Sequence, residues 1–375
     1  MTAPQQHVSF DSRPLTEPVD PQAVRAFAAE LRARGATALS GGAVVGIVVG
    51  ILAALVAIPV LATGVLALSA SRSGLGTALI PLVLIGVAVV LVIVFSVTGW
   101  RRSRITRYRL SRFAQANGMT YEPRITDPPL PGMIFGIGRS RMASDLVRGT
   151  RPRFVEFGNY QYTVKHDKSS TTYRWGYVAV KLDVPLPNIV LDAKGNNSFG
   201  SNLPASFAKA QRLSLEGDFD RFFDLYCPEG YERDALYLFT PDIMARFIDS
   251  AAQLDVEIVD DWLFLYTQRR ASTLDPATWA WLFGAVGALI VKLDQWSRWR
   301  DERLLAENPA AAASARPAPG AGALPFAAPA GMIAPPPGVA AEGRRLKRSF
   351  RWVSIVVAVV VGAVWLGLRV IGHLH

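Results

Sequence analysis

From Gly41 to Leu68 the chain runs 28 residues without one charged side chain, and from Leu75 to Trp100 it does so for another 26. Roughly 20 apolar residues suffice to cross a bilayer core as a helix. Either run would be hard to bury inside a small water-soluble domain. Only Ser-Ala-Ser-Arg-Ser-Gly, residues 69–74, separates them. The expectation is a tight transmembrane hairpin, spans 41–68 and 75–100. Trp352 to Leu368 is a third, shorter uninterrupted run. Trp100 and Trp352 sit at ends of their runs, where indole rings favour the headgroup layer. The first run is not read as a cleaved signal peptide, because about forty mostly polar residues precede it and it exceeds the length of a signal peptide's apolar region.

Charge sets the expected orientation. The net charge is +10, yet Leu110 to Glu307 holds 23 Lys and Arg against 25 Asp and Glu. The surplus flanks the apolar runs. Arg25, Arg32 and Arg34 precede the first, Arg101 to Arg109 follow the second, and Arg344 to Arg351 precede the third. Positive clusters mark the cytosolic side. The expected protein is a multi-pass protein of the cell (inner) membrane with residues 101–351 in the cytosol. A nucleic-acid partner is not expected, since the basic surplus is a topology signal. One cysteine excludes an internal disulfide.

Within span one, Gly42, Gly46 and Gly50 recur every four residues, a spacing that lets another helix approach closely. Span two of the same chain is the first choice of neighbour; a homo-oligomer is the second. Spans one and two contain no Asp, Glu, Lys, Arg or His, which argues against an ion path or proton relay.

Five segments are expected: residues 1–40, cytosolic and partly disordered; the hairpin 41–100; a cytosolic α+β domain 101–306; an Ala/Pro/Gly-rich flexible linker 307–343; and a basic collar, third span and short outer tail 344–375. The first twenty residues look disordered. The domain should carry a mostly antiparallel sheet. A helix should end at Asn117-Gly118. Residues 153–165 and 172–184 alternate apolar and polar, which predicts a β-hairpin. PNIVLDA and RLSLE are short strand candidates, DFDRFFDLY a short helix, ALYLF strand-like, and VEIVDDWLFLYTQ two strands around Asp260-Asp261. Thr240, Pro241 and Asp242 open a helix. From Trp279 to Trp296 a broad apolar stripe predicts an amphipathic helix, packed on the domain or lying in the membrane interface, with a re-entrant span as the third alternative.

Chemistry candidates are sparse. Cys227 lies in Tyr-Cys-Pro-Glu-Gly-Tyr-Glu-Arg-Asp, and the acids around it raise rather than lower a thiol pKa. A small apolar filler beside a turn is the expectation. From Glu216 to Asp261 there are 13 acids against three arginines. Asp218, Asp220, Asp224, Asp260 and Asp261 are candidate oxygen ligands for a hard cation; helix caps, turns and solvated faces are the plainer reading. From Arg101 to Arg153 there are 12 arginines against three acids. Arg139, Arg141, Arg148, Arg151 and Arg153 either pair inside the fold or face anionic lipid headgroups. Phe-Gly-Ile-Gly-Arg-Ser-Arg, residues 135–141, lacks the Walker lysine and is read as a turn before a strand. No cofactor is expected.

The segments LEGDFDRFFDLYCPEGYERDALYLFTPDIMA and VEIVDDWLFLY resemble parts of a group of uncharacterised bacterial integral membrane proteins. That group places a soluble domain after a transmembrane hairpin, and the likeness spans 110–268. It implies the same layout and no activity. The expected function is a membrane-anchored cytosolic binding or scaffolding module, its ligand a lipid or a partner protein. The alternative is an inner-membrane-face enzyme using carboxylates, with or without a metal.

Overall fold

The structure, a computed structural model, describes residues 10–35, 98–166, 169–196, 203–204, 212–215, 218–228, 232, 235–236, 239–250, 253–307 and 324–326. The chain divides into two compact units, one of Met1–Ala36 with Thr106–Gly338, the other of Thr37–Ile105 with Val339–His375. Gly42, Gly46, Gly50 and nearly all of the three apolar runs lie outside the described residues.

The first unit is α+β. Its antiparallel sheet comprises β1 (Thr120–Thr126), β2 (Arg139–Gly149), β3 (Val155–His166), β4 (Ser169–Ala193), β5 (Arg212–Leu213), β6 (Phe223–Tyr226) and β7 (Asp255–Thr267). The order is β1-β2-β3-β4-β6-β5, with β7 on the other edge of β4. β4 is the spine. Its first half pairs with β3, from Ser169 opposite His166 to Val180 opposite Val155. Its last four residues pair with β6 on that same edge. The opposite edge takes β7 along most of its length. The helices are α1 (Arg13–Thr16), α2 (Pro21–Ala33), α3 (98–116), α4 (Phe219–Phe222), α5 (Pro241–Ser250) and α6 (Pro276–Glu307).

The hairpin expected from alternation is β3–β4, and the helix stop at Asn117-Gly118 is present, with Gly118 at φ +69°. Residues 255–267 are one strand, not two. Val256 and Ile258 face the main core, and so do Leu263 and Leu265. The even series becomes odd across Asp260, at φ +51°, where the β4–β7 register shifts. A β-bulge shifts side-chain parity without ending the strand, and aspartate tolerates the left-handed region better than most residues. β4 does the same between Leu186 and Ile189. PNIVLDA is therefore the second half of β4. In ALYLF, Ala235 and Leu236 are helical rather than extended. DFDRFFDLY gives only a single helical turn, then turns into β6.

The main core lies between one sheet face and the helices: Val155, Phe157, Val178, Val180, Leu263 and Leu265 meet Leu110 and Phe113 of α3 and Trp279, Phe283 and Val286 of α6. The expected amphipathic stripe on α6 is too narrow. Trp281, Ala285 and Leu289 are buried as well as Trp279, Phe283, Val286 and Ile290. The stretch Pro276–Gln295 is apolar and long enough to cross a membrane, yet two-thirds of it is buried within the fold. It is a core helix packed on the domain.

Residues 10–20 are ordered, contrary to expectation. Asn117 holds them in place: its Oδ1 accepts from Asp11 N and its Nδ2 donates to Asp11 O, both at 2.9 Å. Phe10 packs edge-on against Phe283 at 5.1 Å. Asp20 caps α2 through Gln22 and Ala23.

Candidate functional site

The second face of the sheet is covered too. The loop 127–138 folds across it and places Phe135 against Tyr160, Tyr177 and Phe264, with ring centroids 4.6, 5.1 and 5.8 Å away. Tyr160, Trp175, Tyr177, Phe264 and Tyr266 form a buried aromatic layer there. Two glutamates stand inside it. Glu257 Oε2 accepts from Tyr266 Oη at 2.5 Å and from Met133 N at 2.9 Å. Glu156 Oε1 accepts from Tyr177 Oη at 2.6 Å, and its Oε2 from Arg148 Nε at 2.7 Å.

Each strut follows from strand parity. Glu156 shares a face with Gly158, Tyr160 and Tyr162; across the ladder, Gly158 opposes Tyr177, whose ring lies over it. Gly132 lies so close that a Cβ there would stand 2.2 Å from the Tyr266 hydroxyl. The loop therefore seats on the tyrosine only because residue 132 has no side chain.

These groups are poor reagents. Burial pushes the Tyr266 and Tyr177 phenols far up, and the neighbouring carboxylates push them further. Burial also raises the Glu257 carboxyl, with the Tyr266 hydroxyl and the Met133 N–H pulling the other way. A phenol that donates into a carboxylate is a strut, not a nucleophile. No sequence motif marks these pairs. The available signal is a lone glutamate between strand residues in FVEF and VEIV, where an exposed face would carry several polar residues.

The acidic candidates do not converge. Asp218 pairs with Arg221 at 3.2 Å. Asp220 accepts from Ser214 Oγ and from Leu215 N. Asp224 pairs with Lys194 at 3.0 Å and Arg212 at 2.5 Å. Asp261 pairs with Lys181 at 2.6 Å. Asp260 forms the β7 bulge, its N–H donating to Asn188 Oδ1 at 3.2 Å. Among the described residues no group of three or more His, Cys, Asp or Glu is placed to hold a metal ion. In this fold these carboxylates neutralise neighbouring bases or shape turns.

The arginine candidates separate into two sets. Arg141 pairs with Asp127, Arg148 with Glu156, and Arg153 with Asp183 at 2.5 Å and Asp294 at 3.4 Å. Arg153 is 6% exposed. These three are paired inside the fold. Arg139 and Arg151 are exposed. Arg153→Ala should lower stability by about 3–5 kcal/mol, because it strips a buried charge pair of its cation. Arg139→Ala and Arg151→Ala should each change it by less than about 0.5 kcal/mol. Urea unfolding followed by circular dichroism measures all three; equal costs would refute the division.

Cys227 is buried. Burial raises its thiol pKa, and Glu232 adds to the rise. It sits in the main core, as expected of a filler.

No protein-family model matches the chain, and no curated protein sequence matches it. Among solved structures the chain is similar to the mycobacterial trehalose monomycolate transport factor A, TtfA, at 15% identity, covering 43% of this chain and 81% of that chain, with a TM-score of 0.30. A likeness of that depth carries no argument about activity.

Proposed function

We propose that the protein is a membrane-anchored binding or scaffolding module whose α+β unit faces the cytosol. Three helical spans, 41–68, 75–100 and 352–368, hold it in the cell membrane, with Gly42, Gly46 and Gly50 lining a helix contact in the first. Support for the anchoring comes from the charge-free runs and from the arginine collars beside them. Arg139 and Arg151, together with the basic row from Arg101, supply the contact with anionic headgroups, at roughly 1 kcal/mol per near-surface charge. A protein partner or a second copy of the chain is the remaining ligand.

One observation favours binding over catalysis. Of the five carboxylates singled out by sequence for chemistry, Asp218, Asp220, Asp224 and Asp261 are engaged by a base, a hydroxyl or a backbone N–H of the same fold. Such groups stabilise a surface; they do not present a reagent to a substrate.

The test is protease protection on intact and opened spheroplasts, after an alkaline wash of the membranes. The chain should stay in the washed pellet, and residues 110–306 should become cleavable only when the inner face is exposed. Cleavage from outside, or release into the supernatant without detergent, would overturn the proposal.

A further inference from the structure

The linker between Asn308 and Gly343 is rich in alanine, proline and glycine, and Phe326 is its one aromatic residue. That residue is 7% exposed. Its ring stacks on Phe283 with centroids 4.0 Å apart and planes 18° apart, and meets Phe157 edge-on at 5.5 Å. Leu324 packs against the same core.

Pro325 lies against Gly149. A Cβ at Gly149 would stand 2.4 Å from both Cβ and Cγ of that proline, and 3.5 Å from Met119 Cγ. No real side chain fits there while Pro325 is in place. The groove thus has a glycine floor for a proline and an aromatic wall for the ring that follows. Aromatic-lined grooves recognise proline-containing extended peptides in this way, since such segments lose little entropy on binding.

We propose that this groove, lined by Met119, Gly149, Phe157 and Phe283, is a binding socket for a short apolar–proline–aromatic peptide, with Leu324-Pro325-Phe326 as its resident ligand. The inference deepens the binding-module reading by naming a ligand class, and it rests on that reading only for its use in the cell. The resident segment is a clasp in cis. Residues 308–323 tether it to the end of α6, and a short tether gives an effective concentration on the order of millimolar. A free peptide of the same chemistry must compete with it.

Two experiments on the full chain in detergent test this, so neither depends on where the protein resides. In the first, chymotrypsin cleavage after Phe326 is timed for the wild type and for Gly149→Ala, with circular dichroism checking the fold. The variant should be cut at least about tenfold faster, because the added methyl expels Pro325. Equal rates with the fold intact would overturn the proposal. In the second, which needs no Gly149 variant, a fluorescein-labelled peptide of residues 320–329 is titrated by anisotropy. It should bind Phe326→Ala saturably and the wild type about tenfold more weakly, because the resident segment competes at its effective concentration. Equal affinities, no binding to Phe326→Ala, or equal binding of a scrambled peptide would overturn it.

Discussion

Trp279→Ala should lower the unfolding free energy by about 3–5 kcal/mol, the range for deleting a large aromatic side chain from a packed core. The indole is fully buried. Its ring lies 4.5 Å from Phe113, 5.4 Å from Phe157 and 5.6 Å from Phe283, so it joins α3, the sheet and its own helix. Its Nε1 donates to Thr273 O at 2.9 Å, an acceptor that truncation leaves behind. Val291, on the same helix, is 54% exposed; Val291→Ala should cost less than about 0.5 kcal/mol. Urea unfolding of the detergent-solubilised chain, followed by circular dichroism, measures both. An α6 lying in the membrane interface would give the opposite pattern: vesicle affinity would fall with Trp279→Ala while stability stayed the same.

The second large effect is at Glu257. Glu257→Ala leaves the Tyr266 hydroxyl and the Met133 N–H buried without their acceptor, at about 1–3 kcal/mol each. Glu257→Gln keeps an acceptor and should cost much less. The pH dependence separates the two effects. Because the folded-state pKa of Glu257 is raised, the folded chain binds its proton more tightly than the unfolded chain does. The stability this adds is complete below the ordinary glutamate range and is lost as pH climbs through the raised value. Glu257→Gln should therefore flatten the fall in melting temperature as pH rises above the ordinary glutamate range. An unchanged slope in the variant would show that another group titrates.

Much of the fold was legible in the sequence where one period governed a whole element. The β3–β4 hairpin alternates cleanly, and α5 opens at Pro241 as its proline suggests. Legibility failed where parity changes within a strand. Asp260 and Asp261 look like a turn because two acids interrupt an apolar run, and only the ladder shows that the strand continues through a bulge. The far half of β4 reads as a separate short strand, PNIVLDA, rather than as the continuation of the hairpin strand. The cis clasp was invisible, since a single Leu-Pro-Phe in an alanine-proline tract has no period. For the candidate site, net charge by region identified which residues would matter but not their partners. Arg148, Arg153 and Asp224 find opposite charges through tertiary contacts that no local spacing encodes.

β4 spans 25 residues, about 80 Å at strand rise, and borrows its neighbours from both sides of the chain. β3 precedes it, but its opposite edge stays bare until residues 194–254 have left the ribosome and β7 arrives. During that interval the nascent protein carries a long raw edge, a template for pairing with other chains. A substitution that slows the arrival of β7 will therefore show first as poor yield and aggregates in the cell, well before any purified sample melts at a lower temperature.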